Sequence, residues 1–249
     1  MGSSLAAWLT ASGAERIAVA GRRDGHIPLD TLATAGQDLL LIAVPDGALA
    51  GVAAELARRP QARVVLHTSG SRDASVLAPL REGGSAVGSL HPLKAFPQPL
   101  PDPAEARGIF FAVDGDAPAR DLAVRLAETW GGVAAEVPPE ARALYHFAAT
   151  LAAGGVTTLL AAASEIAGRL GLPAEVTRGY LELCRGALNA AVRTLDAGRP
   201  LSEAITGPAA RGDAETLERH LEALRALDPD RLPLAEILAR ETRRLRASR

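Results

Sequence analysis

The sequence predicts a doubly wound, Rossmann-like α/β domain followed by an all-helical domain, and three observations predict it. Short apolar runs alternate with helical segments as far as Val137, the order expected of a sheet with helices on both faces. Two of those runs, "LLLIAV" and "VVL", are continuously apolar, as strands buried on both faces are. After Pro138-Pro139 only helical periodicity is left, and proline at a first helical position is a start signal. The expected domains are residues 1–137 and 138–249.

The elements follow in order. "SSLAAWLTA" reads as a helix, "RIAVAG" as a strand and "DLLLIAV" as the next strand, with only a short turn segment between the two. Helix "GALAGVAAELARR", strand "ARVVLHTSG", helix "ASVLAPLREGG" and strand "AVGSL" come next. A proline-rich loop, "HPLKAFPQPLPDP", leads to strand "GIFFAV", helix "PARDLAVRLAETW" and strand "GVAAEV". The helical half is expected to hold one long helix ending at Gly171, a second in "EVTRGYLELCRGALNAAVRTLDAG", a third capped by Asp213 and an arginine-rich last helix, whose charge suits a helix C-terminus.

Composition excludes several classes. The chain has 249 residues, 48% apolar and 22% charged, with a net charge of −2, so no nucleic acid or anionic membrane is indicated as a partner. Lys94 is the only lysine. The single cysteine, Cys184, rules out a disulfide framework and points to the cytoplasm. Its spacing from Leu181 and Leu188 reads as a buried core thiol. The most apolar run, "FAATLAAGGVTTLLAAA", spans 17 residues with three threonines and a Gly-Gly pair, short of the roughly 20 needed for a bilayer. It reads as a buried core helix. No metal-binding spacing of His or Cys is present.

Ligands of open parallel sheets bind beyond the carboxyl ends of the strands. "RIAVA" ends in Gly21-Arg22-Arg23, with Arg22 placed 20 residues after Gly2. Arginine there suits the 2′-phosphate of NADP, where Asp or Glu would suit NAD; two arginines in a solvated turn are the plainer alternative. "DLLLIAV" ends in Val44-Pro45-Asp46, whose backbone could lie along a nicotinamide-side ribose, although capping the next helix would also explain Asp46. "VVL" ends in His67-Thr68-Ser69-Gly70, where Ser69 and Gly70 permit close approach of a ligand. A Ser-Gly turn occurs without a ligand too. "AVGSL" ends in His91.

Five fragments in this order, "AVPDGAL", "VVLHTSG", "GSLHPLKAF", "YHFAAT" and "TGPAARGD", resemble the bacterial Rossmann-like and DUF2520 domain-containing proteins. That family is related to the 6-phosphogluconate dehydrogenase-like group that includes pyrroline-5-carboxylate reductase. The resemblance implies an NADP-binding domain, a helical domain like the 6-phosphogluconate dehydrogenase C-terminal one, and a homodimer built through the helices. Some relatives look like ketopantoate reductases. The sequence departs from the family in three places. Relatives begin with a strand and G-x-G-x-x-G, and Gly2 is in register with the last of those glycines. The helix after "RIAVAG" is nearly gone. Arg142 and Gly154 stand where relatives often carry Lys and Asn.

On that register Gly2 packs helix against strand, and about ten residues, a strand of roughly 5–6 plus the first glycines, are expected upstream. That strand would be central in a 3-2-1-4-5-6 sheet. The expectation is a gap between "RIAVA" and "DLLLIAV", poor NADP binding, and low stability unless something fills it.

Reduction of a carbonyl or imine needs a proton donor or a group stabilising negative charge near the acceptor atom. Among the five histidines, His91 and His146 stand out. His91 lies at a strand's carboxyl end, with a backbone-bonded loop histidine as the alternative. His146 shares helical spacing with Arg142, Thr150, Gly154 and Thr157. Such a stripe could line a substrate cleft, with Thr150 as a contact, or a close dimer seam. His67 reads as structural, His220 as surface, and His26 carries no signal. Arg211 is a candidate for a substrate carboxylate. The expected activity is NADP-dependent hydride transfer to a small carbonyl or imine substrate, with His91 or His146 as acid or electrostatic partner. The alternative is a non-catalytic dinucleotide-binding sensor or helical dimerisation protein.

Overall fold

The structure, a computed structural model, describes residues 1–21, 26–59 and 61–247. It divides into two compact units, Met1–Gly154 and Gly155–Arg249. The first unit carries the sheet and also the start of the long helical run, through Thr150.

Five strands build the sheet: β1 (Leu39–Ile42), β2 (Val64–His67), β3 (Ala86–Pro92), β4 (Phe110–Gly115) and β5 (Val133–Glu136). They lie side by side in chain order. β1, β2 and β3 are parallel, β4 runs antiparallel to β3, and β5 is parallel to β4. The sheet is therefore mixed rather than wholly parallel. The reason lies in the proline-rich connection: residues 93–109 hold only a short 3-10 turn, Pro103–Ala106. A parallel return needs a crossover, usually a helix; this segment has none and the chain comes straight back.

Alternation along β2 divides the core. Val64 and Leu66 face a layer containing Leu5, Trp8, Phe111 and Trp130, with Ala119, Ala123 and Ala127 of one helical face. Val65 faces the other layer, with Leu49, Ala53, Leu56, Leu77 and Leu80. Period 2 in the strand and i, i+4, i+8 in the helix are the two spacings that place these residues together. The helices involved are α1 (Gly2–Ala11), α2 (Asp46–Leu56), α3 (Ala78–Glu82) and α4 (Ala117–Thr129). α1 is held down by Trp8, whose Nε1 donates to Leu100 O at 2.9 Å.

Two sequence expectations fail. "RIAVAG" forms no strand of the sheet: Ala20 makes an isolated bridge to Ile27, and the Gly21 and Ile27 amides bond within the same fold-back. Among the described residues nothing pairs with the outer edge of β1, and a strand without neighbours has nowhere to spend its backbone polar groups. The helix "FAATLAAGGVTTLLAAA" is not a buried core helix. It comprises α5 (Arg142–Thr150), a π turn (Leu151–Gly155) and α6 (Val156–Arg169). Leu144 is 73% exposed, Phe147 56% and Leu151 57%. The stretch Pro139–Arg169 is 31 residues long and apolar enough to span a bilayer by length and composition. The π turn, Leu151–Gly155, breaks the 3.6-residue spacing read from His146 through Gly154 to Thr157.

The helical unit holds α6, α7 (Glu175–Asp196), α8 (Pro208–Arg211), α9 (Ala214–Leu227) and α10 (Leu232–Ala247). Asp213 caps α9, accepting from Thr216 N at 3.0 Å, as its sequence position predicts. Asp228 is buried and pairs with Arg169 and Arg231. Ala167 is the one buried hydrophobic residue among the described residues of this unit. Cys184 is half-buried, not a core thiol. Leu181, Leu188, Val192 and Leu195 leave an exposed apolar stripe along α7.

Candidate active site

Three chain segments of the first unit converge on one place. The end of β2 runs into Thr68, Ser69 and Gly70; the end of β3 supplies Ser89 and His91; α5 supplies Arg142, Tyr145 and His146. Positions 142, 145 and 146 share one helical face, at i, i+3 and i+4, while Leu144, Phe147 and Leu151 share another.

Arg142 is the anchor. Its side chain is 1% exposed and lies 3.4 Å from Asp114 Oδ1, whose own side chain is 3% exposed. It donates to Ser69 O and Val137 O, each at 3.4 Å, and to Ser89 Oγ. A guanidinium offers five donors in a rigid fork, so one side chain ties α5 to the residues following β2 and β5 and to β3 and β4. The residue therefore lies beneath the site rather than on its surface.

His91 is 6% exposed. Its Nδ1 lies 3.0 Å from the Tyr145 hydroxyl, and the two rings meet edge to face at 5.6 Å. The His146 ring stands against the other side of His91, also at 5.6 Å. Burial first, then the charges of His146 and Arg142, push His91 down to about 4; it is a neutral imidazole at pH 7. Burial likewise raises the Tyr145 phenol above its ordinary value, with Arg142 pulling the other way, so it is a neutral O–H. His146 Nδ1 is buried and has no hydrogen-bond partner among the described residues.

Gly70 explains how two imidazoles fit. A Cβ there would lie 2.5 Å from His146 Nδ1 and 2.7 Å from His91 Nε2. The space that any side chain would fill is taken by the histidines. The glycine is thus required by the protein's own packing, a reason the sequence did not show.

Other expected residues are placed as follows. His67 is fully buried and structural: Nδ1 accepts from Ser69 N at 3.2 Å and Nε2 faces Asp73 O at 3.1 Å. Burial lowers it as well. Asp46 does not cap α2 with its side chain. It is the first helical residue, and its Oδ2 accepts from Ser71 Oγ at 2.5 Å. Burial would raise this carboxyl, but hydrogen bonds from Ser71 and Ser69 and the nearness of His146 and Arg72 outweigh that and hold it low. Val44 is half-buried and Pro45 exposed in the loop between β1 and α2. Thr150 is exposed one turn past His146 and donates to the His146 carbonyl at 3.1 Å. Arg211 belongs to the helical unit, exposed at the end of α8. Arg22 and Arg23 lie outside the described residues. Tyr145 is the functional candidate that sequence reasoning passed over; its signal was adjacency to His146 within "YHFAAT" and i+3 spacing from Arg142.

The residues present fit a dinucleotide at the β1 end. α1 has no side-chain cap; the Ser4 and Leu5 N–H groups donate to the Met1 carbonyl, and those of Gly2 and Ser3 are placed to meet a ligand such as a phosphate. A Cβ on Gly2 would come 3.3 Å from Ala43 Cβ, so glycine sets the close approach of α1 to the strand end. The start of α2 carries Asp46 instead, which disfavours an anion there.

The sequence matches the family described as "Domain of unknown function (DUF2520)" over residues 109–242 and the "Rossmann-like domain" over residues 5–92. No curated protein sequence matches the chain. The fold is similar to that of a protein from Thermotoga maritima (TM-score 0.73, 23% identity, 88% of this chain and 81% of that one). It is also similar to a Bacteroides fragilis protein described as a "putative NADP oxidoreductase" (TM-score 0.74, 21% identity, 97% and 93%). A pyrroline carboxylate reductase from Plasmodium falciparum with NADP bound is a more distant likeness (TM-score 0.56, 11% identity, 98% and 95%).

Proposed function

We propose, from the premise that the chain belongs to the DUF2520 family, that it is an NADP-dependent reductase of a small carbonyl or imine compound. The observation that carries the reading is the convergence of His91, His146 and Tyr145 beside Gly70, at the carboxyl ends of β2 and β3. Neutral imidazole at pH 7 suits a group that gives a hydrogen bond to an oxygen or nitrogen gaining charge. The Bacteroides fragilis and Plasmodium falciparum likenesses support the cofactor class.

The α1 N-terminus at Gly2 would face the diphosphate, and Val44, Pro45, Asp46 and Ser69 would border the ribose and ring. Arg22 and Arg23 would take the 2′-phosphate. Reduced dinucleotide, when bound, supplies a hydride. This chain's residues do the rest: His91 donates, His146 lies alongside, and Arg142 holds α5 against the strand ends. Thr150 and Arg211 are proposed substrate contacts. The test is calorimetric NADPH titration, then turnover on small keto acids and cyclic imines. Binding lost on Arg22→Ala and turnover lost on His91→Ala are expected. Weak binding is compatible with the reading; NADPH binding undetectable even at high ligand concentration refutes it, and tight binding with no turnover on any compound favours the sensor.

The chain is further proposed to act as a homodimer. A helical unit with one buried hydrophobic residue among those described cannot offset its chain entropy alone, and the stripes of α5 and α7 present the missing surface. A second copy brings matching stripes. Sedimentation of the unaltered protein as a monomer, with no detergent, would remove this part.

A further inference from the structure

We infer that Tyr145 is the positioning residue that fixes the tautomer of His91, holding its proton on Nε2, the nitrogen turned toward Gly70 and His146. The inference rests on the reductase reading for its consequence but not for its geometry.

Three observations lead to it. The Tyr145 hydroxyl lies 3.0 Å from His91 Nδ1, and no other hydrogen bond of that hydroxyl is formed within the protein among those described. The edge-to-face contact at 88° holds the ring plane, and Phe110 backs Tyr145 at 6.2 Å. Between a neutral phenol and a neutral imidazole, the stronger pairing is O–H to the bare ring nitrogen, because phenol is the better donor and imidazole the better acceptor. Nδ1 therefore accepts. The ring's one proton is left on Nε2, the nitrogen that faces Gly70 and His146.

The consequence is a balanced proton path. If a bound reduced dinucleotide supplied a hydride to the substrate carbon, the C=O π pair would move to oxygen, and that oxygen would take the Nε2 proton. The Tyr145 hydroxyl proton moves to Nδ1, so the imidazole stays neutral and only changes tautomer. Burial disfavours the phenolate left on Tyr145, the nearby Arg142 charge offsets part of that, and the phenolate regains a proton from water. With the opposite tautomer, Nε2 has a lone pair and nothing to give. Delivery from a neutral His91 lacking Tyr145 would leave an imidazolate.

The experiment is ring-nitrogen NMR of 15N-histidine-labelled full-length protein at pH 7, with His91 assigned by its loss in His91→Gln. The expected spectrum shows protonated Nε2 and bare Nδ1. Tyr145→Phe keeps the ring packing and removes the donor. His91 should then shift toward a tautomer mixture, and kcat should fall by about 100-fold or more with KM changed less than about twofold. A proton on Nδ1 in the unaltered protein, or a His91 spectrum unmoved in Tyr145→Phe, overturns the inference. The unaltered-protein spectrum decides even if the variant does not fold. NADPH titration separates the two ideas: absent binding with an Nε2–H ring fails the reductase reading alone, and turnover with an Nδ1–H ring fails this inference alone.

Discussion

Replacing Arg142 by methionine should be among the most damaging single changes in the first unit. The guanidinium is 1% exposed and its partner Asp114 3%. Methionine keeps much of the volume but removes every donor. Asp114 is left with the Ala74 N–H at 3.2 Å, and the Ser69 and Val137 carbonyls lose their bonds from α5. Breaking a buried ion pair from one side costs about 3–5 kcal/mol. At about 2–4 °C per kcal/mol for a chain of this size, the melting temperature should drop by roughly 6–20 °C. Urea unfolding followed by circular dichroism measures the loss. Asp114→Asn in the Arg142→Met background should recover part of it, with a coupling of about 1–3 kcal/mol across the double-mutant cycle. Arg142→Lys should fall between, since one ammonium cannot reach all of these acceptors. A cost below about 1 kcal/mol for Arg142→Met, or strict additivity with Asp114→Asn, would refute the view that this pair anchors α5.

Gly70→Ala should cost about 1–3 kcal/mol through overpacking, because its Cβ would lie 2.5 Å from one histidine and 2.7 Å from the other; crystallography of the variant should show His146 or His91 displaced, and two unmoved rings would contradict the packing argument. Stability should also depend on acid through His91. Its folded value is about 4 against about 6.5 unfolded, so below 6.5 the unfolded chain takes up a proton that the folded chain refuses. Stability is then full above pH 6.5, falls as pH drops toward 4, and levels below it. The total loss is about 3 kcal/mol at about 1.4 kcal/mol per pH unit, and His67, also lowered by burial, adds in the same direction. Urea titrations between pH 7.5 and 4.5 measure the slope; a slope unchanged in His91→Gln would show that His91 is not its source.

The sheet was readable because β2 and β3 are buried along nearly their whole length and β1 is a continuous apolar run. "RIAVAG" has equally good strand composition and yet forms none, because strand formation depends on a neighbour as much as on propensity. The antiparallel step at β4 was legible in principle. A proline-rich connection with no crossover helix says that the chain turns back, and the apolar strand runs drew attention away from it. The long helix was misjudged because hydropathy reports how much a segment gains from cover, not whether its own chain supplies that cover. Leu144, Phe147 and Leu151 have core composition and stand exposed.

His91 and His146 could be singled out by position, but not their relation to each other. That relation depends on β3 continuing through Pro92, which puts His91 inside the ladder opposite Ala112 and fixes its direction. It depends equally on Arg142, which the sequence places on one helical stripe with His146 without showing what it binds. Nothing in "PPEARALYHF" says that one arginine goes under the sheet ends while the tyrosine and histidine after it come to His91. The i, i+3, i+4 spacing was visible; what it faced was not. Once α5 is docked by Arg142, its two sides have separate duties. The inner side sets the imidazole pair and its tyrosine, and the outer side offers leucine and phenylalanine to whatever covers it. A substitution on the outer side that left assembly intact should therefore spare the His91 geometry. One at Arg142 acts on both sides at once, because it alters the orientation of the whole helix rather than a single contact.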